Sequence, residues 1–311
     1  MTHTIELSAL CKSFGSKQAV RELNLDVPEG ALYGIIGPNG AGKTTSLRMM
    51  LSILFPDSGS IRILGADSAL KAKDRIGYLP EERGVYRKMP VQDFLLHMAI
   101  LKGVSRGEAV KRIANWLERV GLADVAKKKC EELSKGMQQK IQFIAAVVHQ
   151  PELLILDEPF SGLDPVNMRL LKSLILDQHK QGVTVLFSTH VMPQAEQICE
   201  HIVMIHQGQK VLDDPLETIR RRYAPHALLL QPLDDSLSEQ SLAALDCIRA
   251  STRDESGWRL ELAPEQAPAD ALRQVTQAIP TRRIELLQPS LEDVFIQLAK
   301  PEPAIALEAA A

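Results

Sequence analysis

Gly37-Pro38-Asn39-Gly40-Ala41-Gly42-Lys43-Thr44-Thr45 decides how this chain is read. It fits the spacing G-x-x-x-x-G-K-[ST], and each residue type in it has a physical task. The glycines allow a turn tight enough for successive backbone N–H groups to face one concavity. Lys43 brings a point charge to the β- and γ-phosphates of a bound nucleotide, and the Thr44 hydroxyl is a ligand for Mg2+. Before the loop comes the apolar run Leu32-Tyr33-Gly34-Ile35-Ile36, a buried strand by composition. After it, Ser46-Leu47-Arg48-Met49-Met50-Leu51 reads as a helix. Phosphates held there meet the positive end of a helix as well as the loop.

Working outward, Leu153-Leu154-Ile155-Leu156-Asp157-Glu158-Pro159 is an apolar strand ending in two carboxylates. In an open α/β sheet, ligands bind at the carboxyl edge of the strands. That position lets Asp157 reach a bound Mg2+, and lets Glu158 orient or deprotonate the attacking water. Leu133-Ser134-Lys135-Gly136-Met137-Gln138-Gln139-Lys140 opens a further helix, whose N-terminus can also meet an anion. Val183–Phe187 and Ile202–Ile205 are further buried-strand runs. Residues 4–30 alternate as antiparallel strands, and Ser58–Gly65 adds another. The fold class is therefore α/β, a parallel sheet beside an antiparallel β subdomain.

A helical subdomain is expected over about 88–150. Phe94, Met98 and Leu101 recur at helical spacing up to Gly103; Ser105 and Glu108 then form a capping box ahead of Val110, Ile113, Leu117 and Val120. The composition shifts near Arg222-Tyr223-Ala224-Pro225. From 223 to 300 the pattern is a small C-terminal α+β domain. It has a short strand from Ala227, a helix opened by Asp235 or Ser236, and a strand with Trp258, Leu260 and Leu262 on one face. A helix, a strand and a helix capped by Ser290 follow. Residues 301–311 are expected to be a disordered tail.

The 311 residues carry a net charge of −3, which disfavours a broad nucleic-acid surface. The clusters Lys127-Lys128-Lys129 and Arg220-Arg221-Arg222 read as solvated faces. No apolar run is long enough to cross a bilayer, and Met1-Thr2-His3-Thr4 begins no basic-then-apolar leader. Cys11, Cys130, Cys199 and Cys247 lack metal-site spacing and read as buried thiols. A cytoplasmic location is expected, with any membrane connection made through a partner.

Over about residues 4–222 the chain resembles the nucleotide-binding subunits of ABC transporters. Gly37–Thr45 (Gly37, Pro38, Asn39, Gly40, Ala41, Gly42, Lys43, Thr44 and Thr45) looks like their Walker A, and Leu153–Glu158 like Walker B with its catalytic glutamate. Leu133–Gln139 resembles the signature sequence, Ser161-Gly162-Leu163-Asp164 the D-loop, and Ser188-Thr189-His190 the switch histidine. Phe14 falls where the family stacks an aromatic ring on adenine. The resemblance implies a P-loop NTPase fold and a Mg-dependent ATPase in which two such subunits, a homodimer or this chain with a paralogue, meet head to tail. Ser134, Gly136 and Asp164 would then act on the ATP held by the other subunit, and His190 would contact the γ-phosphate. A separate integral membrane permease would complete the transporter, with this subunit peripheral at the cytoplasmic face. No nucleic acid is expected.

Two positions depart from the family pattern. Lys135 and Met137 stand where the common signature has Gly and Gln, but Ser134 and Gly136 remain. In Tyr78-Leu79-Pro80-Glu81-Glu82-Arg83-Gly84, Glu81 takes the place of a glutamine that reaches Mg2+. A carboxylate can ligate the metal too, or pair with Arg83. The Glu81 segment, the Leu-Ser-Lys-Gly-Met signature and Pro289-Ser290-Leu291-Glu292-Asp293-Val294-Phe295 together resemble a subgroup linked to sodium-ion or drug export. The alternative, a soluble ABC ATPase acting on ribosomes or DNA, usually carries two cassettes or long coiled coils. This chain has one cassette and no heptad run. A nucleotide-binding regulator without catalysis is disfavoured by Glu158 and His190.

Overall fold

A computed structural model describes residues 2–82, 84–224, 227–234, 237–254 and 256–299. Two compact units divide the chain, one running to Leu216 and the other spanning Glu217–Gln297. In the first unit β1 (His3–Phe14) and β2 (Lys17–Pro28) precede β3 (Leu32–Ile36) and α1 (Lys43–Met50). Then come β4 (Ser58–Ile63), β5 (Ile76–Leu79), α2 (Val91–Leu101), α3 (Arg106–Arg119) and α4 (Lys135–Val147). The unit closes with β6 (Leu153–Asp157), α5 (Pro165–Lys180), β7 (Thr184–Thr189), α6 (Met192–Glu196), β8 (His201–His206) and β9 (Gln209–Pro215).

Two sheets carry this unit. β2-β1-β4 is antiparallel, as the alternation over residues 4–30 predicts. The other runs β5-β6-β7-β3-β8-β9, parallel throughout except for β9. Its central strands are apolar because both faces are covered: every residue of β3, β6 and β7 is buried. Each Leu or Ile so enclosed contributes about 1.5–3 kcal/mol. Register decides where the chemistry lies. Ile36 pairs with Thr189, and Asp157 with Ser188. The C-terminal ends of β3, β6 and β7 therefore open at one edge.

The helical segment forms as α2, α3 and α4. Ser105 accepts a hydrogen bond from the Glu108 N–H at 3.4 Å, one half of the capping box read from the sequence; the Glu108 carboxylate accepts from Arg112 at 2.9 Å. Helix α4 lies directly on β5: a Cβ at Gly77 would stand 2.2 Å from the Ala146 carbonyl oxygen, so only glycine allows this approach. Two donors fasten the same place. Lys102 Nζ and His149 Nε2 lie 2.9 and 3.1 Å from the Ile76 carbonyl oxygen.

The second unit opens with α7 (Leu216–Arg222), whose first residue ends the preceding unit. It continues through β10 (Ala227–Pro232), α8 (Glu239–Ala243), β11 (Ile248–Asp254), β12 (Gly257–Leu262), α9 (Pro268–Ala278), β13 (Thr281–Leu286) and α10 (Leu291–Ala299). Its antiparallel sheet runs β11-β12-β10-β13. Trp258, Leu260 and Leu262 alternate inward against Leu228, Leu230, Ala271 and Val275. Ser290 and Asp293 bond reciprocally at the start of α10. Ser238 caps α8; the expected openers Asp235 and Ser236, and the expected tail 301–311, lie outside the described residues. Strand β11 is not anticipated by the sequence pattern. Apart from the buried Ile248 at its start, its run Arg249-Ala250-Ser251-Thr252-Arg253-Asp254 is mostly polar because it is an edge strand.

Candidate active site

The loop after β3 wraps the N-terminus of α1. Gly37 has φ 151° and Gly42 has φ 111°; a Cβ would come within 2.1 Å of the Ile205 carbonyl oxygen and 2.4 Å of the Ala19 carbonyl oxygen. Neither position tolerates a side chain. Lys43 is buried beneath the loop and its Nζ donates to the carbonyls of Gly37 and Pro38 at 2.8 and 3.1 Å. Burial holds its pKa below the usual lysine value, opposed by the charges of Glu158, Asp157 and Glu81. Ala41 is buried and braces the loop, its N–H donating to Pro38 and its carbonyl accepting from Gly208.

Asn39, Gly40, Gly42, Lys43, Thr44 and Thr45 line a cavity of about 420 Å³ with Phe14, Lys17, Ala19, Glu81 and Glu158. Seven of the expected residues from loop and strand ends thus share one space with the aromatic ring and Glu81. Phe14 is 52% exposed, with Lys12 Nζ 5.7 Å from its ring centroid. The Thr44 hydroxyl lies 3.4 Å from Asp157 Oδ1. Asp157 is 1% exposed; burial raises its pKa, while hydrogen bonds from Ser188 and Thr44 pull the other way.

Glu158 stands just past the end of β6 with φ 47°, a conformation an L-residue adopts only when its surroundings enforce it. Its N–H donates to the Ser188 carbonyl at 3.0 Å. The side chain turns to the end of β7. Oε1 accepts from the His190 backbone N–H at 2.8 Å and lies 2.7 Å from His190 Nδ1; Oε2 accepts from the Thr189 hydroxyl at 3.0 Å. Glu158 is 6% exposed, whereas His190 is open to solvent.

The signature residues form a separate patch. Ser134 caps α4, its hydroxyl accepting from the Met137 N–H at 3.3 Å, and it remains exposed beside Lys135. Asp164 caps α5 through the N–H groups of Val166 and Asn167 at 3.0 and 2.9 Å, and these bonds lower its pKa. Asn167 joins the two: its amide donates to Asp164 at 2.5 Å and faces Gly136, where a Cβ would stand 2.8 Å away. None of Ser134, Gly136 and Asp164 lines the phosphate cavity.

Some contributors are not evident in the sequence. Lys17 and Ala19 reach the cavity by strand pairing alone. On α4, buried Gln139 donates to the Pro159 carbonyl at 2.9 Å, and buried Gln142 donates to the Glu82 carbonyl at 3.3 Å. A polar residue at two positions on the apolar face of a helix is the signal that points to them. Arg83, the expected partner of Glu81, lies outside the described residues.

A phosphate loop on β3, a carboxylate pair ending the parallel strand β6 and a histidine ending β7 define a P-loop nucleotide-triphosphatase site. The ABC transporter family model matches residues 20–161, and a model described as the ATP-binding protein DrrA1-3-like C-terminal domain matches 215–299. The chain is 43% identical over 293 residues to the uncharacterized ABC transporter ATP-binding protein YhaQ of Bacillus subtilis, covering 94% of this chain and 97% of that one. It is 35% identical to the bacitracin transport ATP-binding protein BcrA of Bacillus licheniformis, covering 79% and 78% of the two chains. A solved ATP-binding subunit of an ABC transporter superposes with a TM-score of 0.67 at 29% identity, over 71% of this chain and 93% of that one. The chain belongs to the ABC transporter ATP-binding proteins, which bind ATP and hydrolyse it to power transport. Such subunits dimerise and work with membrane permease subunits. Among the described residues no helix is long and apolar enough to cross a membrane.

Proposed function

We propose that the cavity between Phe14 and Glu158 binds Mg-ATP, and that turnover requires a second ABC ATPase subunit, a copy of this chain or a paralogue. In this reading Phe14 stacks on adenine, the N–H groups of Gly40–Thr45 cradle the phosphates, and Lys43 neutralises them. Thr44, Asp157 and Glu81 would hold Mg2+, an oxygen-only donor set that suits a hard cation, and the ion would supply charge neutralisation on the phosphates. The 3.4 Å approach of Thr44 to Asp157 supports that fit. Glu158 orients and deprotonates the attacking water, and His190 turns between Glu158 and the γ-phosphate. Ser134, Gly136 and Asp164 serve the site of the facing subunit through two helix N-termini.

One observation carries this reading: Lys43, Thr44, Glu81 and Glu158 line a single cavity with an aromatic ring at its rim. The transporter is completed by a separate integral membrane permease, with this subunit peripheral at the cytoplasmic face. Its docking surface is formed by the helical segment and residues 78–87, where Tyr86 is exposed and packs edge-on against Phe94 and His97. The likeness to a bacitracin transport protein supports transport of an unassigned substrate, for which export is the direction proposed.

The decisive variant is Glu158→Gln. Expected are retained Mg-ATP binding, a fall in turnover of at least about 100-fold, and accumulation of an ATP-dependent dimer in size-exclusion chromatography. Full activity in this variant would remove Glu158 from the chemistry; tight ATP binding without dimerisation would remove the facing subunit.

A further inference from the structure

We propose that Thr189 is a positioning residue for Glu158, setting the plane of its carboxylate through the hydroxyl, with Gln194 of α6 as the support behind it. The inference rests on the reading of Glu158 as the group that handles the attacking water. Thr189 ends β7 and is wholly buried. Its Oγ1 lies 3.0 Å from Glu158 Oε2 and 3.3 Å from Gln194 Oε1, and it accepts the Val191 N–H at 3.0 Å. A hydroxyl has a single proton to donate. It goes to Glu158, because the bond to an ionised carboxylate is the stronger and here also the shorter. Gln194 then presents its amide N–H to Thr189, an O/N exchange that leaves the positions of the heavy atoms unchanged.

The consequence is a fixed carboxylate plane. The last torsion of a glutamate is broad and nearly two-fold, so one anchored oxygen does not define it. His190 anchors Oε1, and among the described residues Thr189 is the donor on Oε2. With both in place the carboxylate is held across the end of β7, over a backbone already at φ 47°. When the His190 ring turns to the γ-phosphate, the Thr189 hydroxyl on Oε2 and the His190 backbone N–H on Oε1 are the anchors that stay. Oε1, which gives up its bond to the imidazole but keeps the His190 N–H, is thereby assigned the reactive role, and Oε2, held by Thr189, the positioning one.

The test uses the full chain with Mg-ATP. Thr189→Val should lower kcat about tenfold while KM for ATP stays within about twofold, and Thr189→Ser should restore kcat to within about threefold. Gln194→Leu should lower kcat in the same sense by about two- to fourfold. Unchanged kcat in Thr189→Val, or a serine variant as impaired as the valine one, would overturn the assignment. Should the valine variant not fold, unchanged kcat in Gln194→Leu overturns it instead. If Glu158→Gln is inactive while Thr189→Val and Gln194→Leu are normal, this assignment alone falls. If Glu158→Gln is fully active, the reading beneath it falls.

Discussion

The phosphate-loop edge and the Ser134–Asp164 patch are built on opposite terms. At the first, Lys43, Asp157, Glu158 and Thr189 are all buried and bonded to one another or to the loop. At the second, Ser134 and Asp164 are exposed, and their side chains are spent on capping the helices behind them. The first is a finished pocket, in which geometry is set by strand register and close packing. The second is a surface whose free valences are helix N-termini aimed outward, which is what a group meant for another molecule requires. On the proposed reading, a subunit holds a nucleotide alone yet needs the facing subunit to turn it over.

The contrast is broken most directly at Gly136. In Gly136→Val the new side chain collides with Asn167, which is itself held by Asp164. Turnover should fall on the order of 1000-fold, as when a transition-state donor is removed, while the Kd of the single chain for ATP is unchanged in equilibrium titration. A parallel loss of ATP affinity would show that the two regions are not separate. The join between them is probed next, at His149. Its pKa is pushed down to about 4, chiefly by burial and further by Lys102. Below about pH 6.5 the unfolded chain takes up a proton that the folded protein refuses. Stability is thus lost as pH falls from about 6.5 to about 4, by as much as about 3 kcal/mol. Urea unfolding at pH 7 and pH 4.5 should show this slope shallower in His149→Gln than in the parent chain. The smallest effect is expected of Glu81→Gln: ATP binding intact and turnover altered by no more than about threefold, since either side chain offers the cavity an oxygen ligand. Complete loss of hydrolysis would give the carboxylate a role of its own.

How far the sequence discloses this molecule follows from the range of the forces involved. Gly37–Thr45 can be read in one dimension because the loop conformation is dictated locally by glycine, and Leu153–Glu158 because a strand buried on both faces must be continuously apolar. Ser105 and Ser290 announce their helices for the same local reason. What depends on packing at a distance is not readable in this way. Nothing near Lys17 says that it will line the nucleotide cavity, and nothing near Thr189 says which oxygen of Glu158 it will hold. Strand β11 is obscured because an edge position relieves it of apolar alternation. The strained φ of 47° at Glu158, and the contacts its carboxylate makes at the end of β7, are likewise not written in the local sequence.

Helix α4 gives this arrangement a mechanical meaning. Its 13 residues span about 20 Å. Ser134 sits at one tip; a turn later Gln139 grips the backbone beyond Glu158, and within one more turn Gln142 grips the backbone beyond Glu81. Close to its far end, the contact at Gly77 binds it to the sheet. In a head-to-tail pair, whatever presses on the tip in one subunit is transmitted along a rigid shaft to both carboxylate segments of that same subunit. On the proposed reading each nucleotide would be sensed twice, once by the pocket that holds it and once by the shaft of the facing subunit, and the state of either site would become a property of the pair.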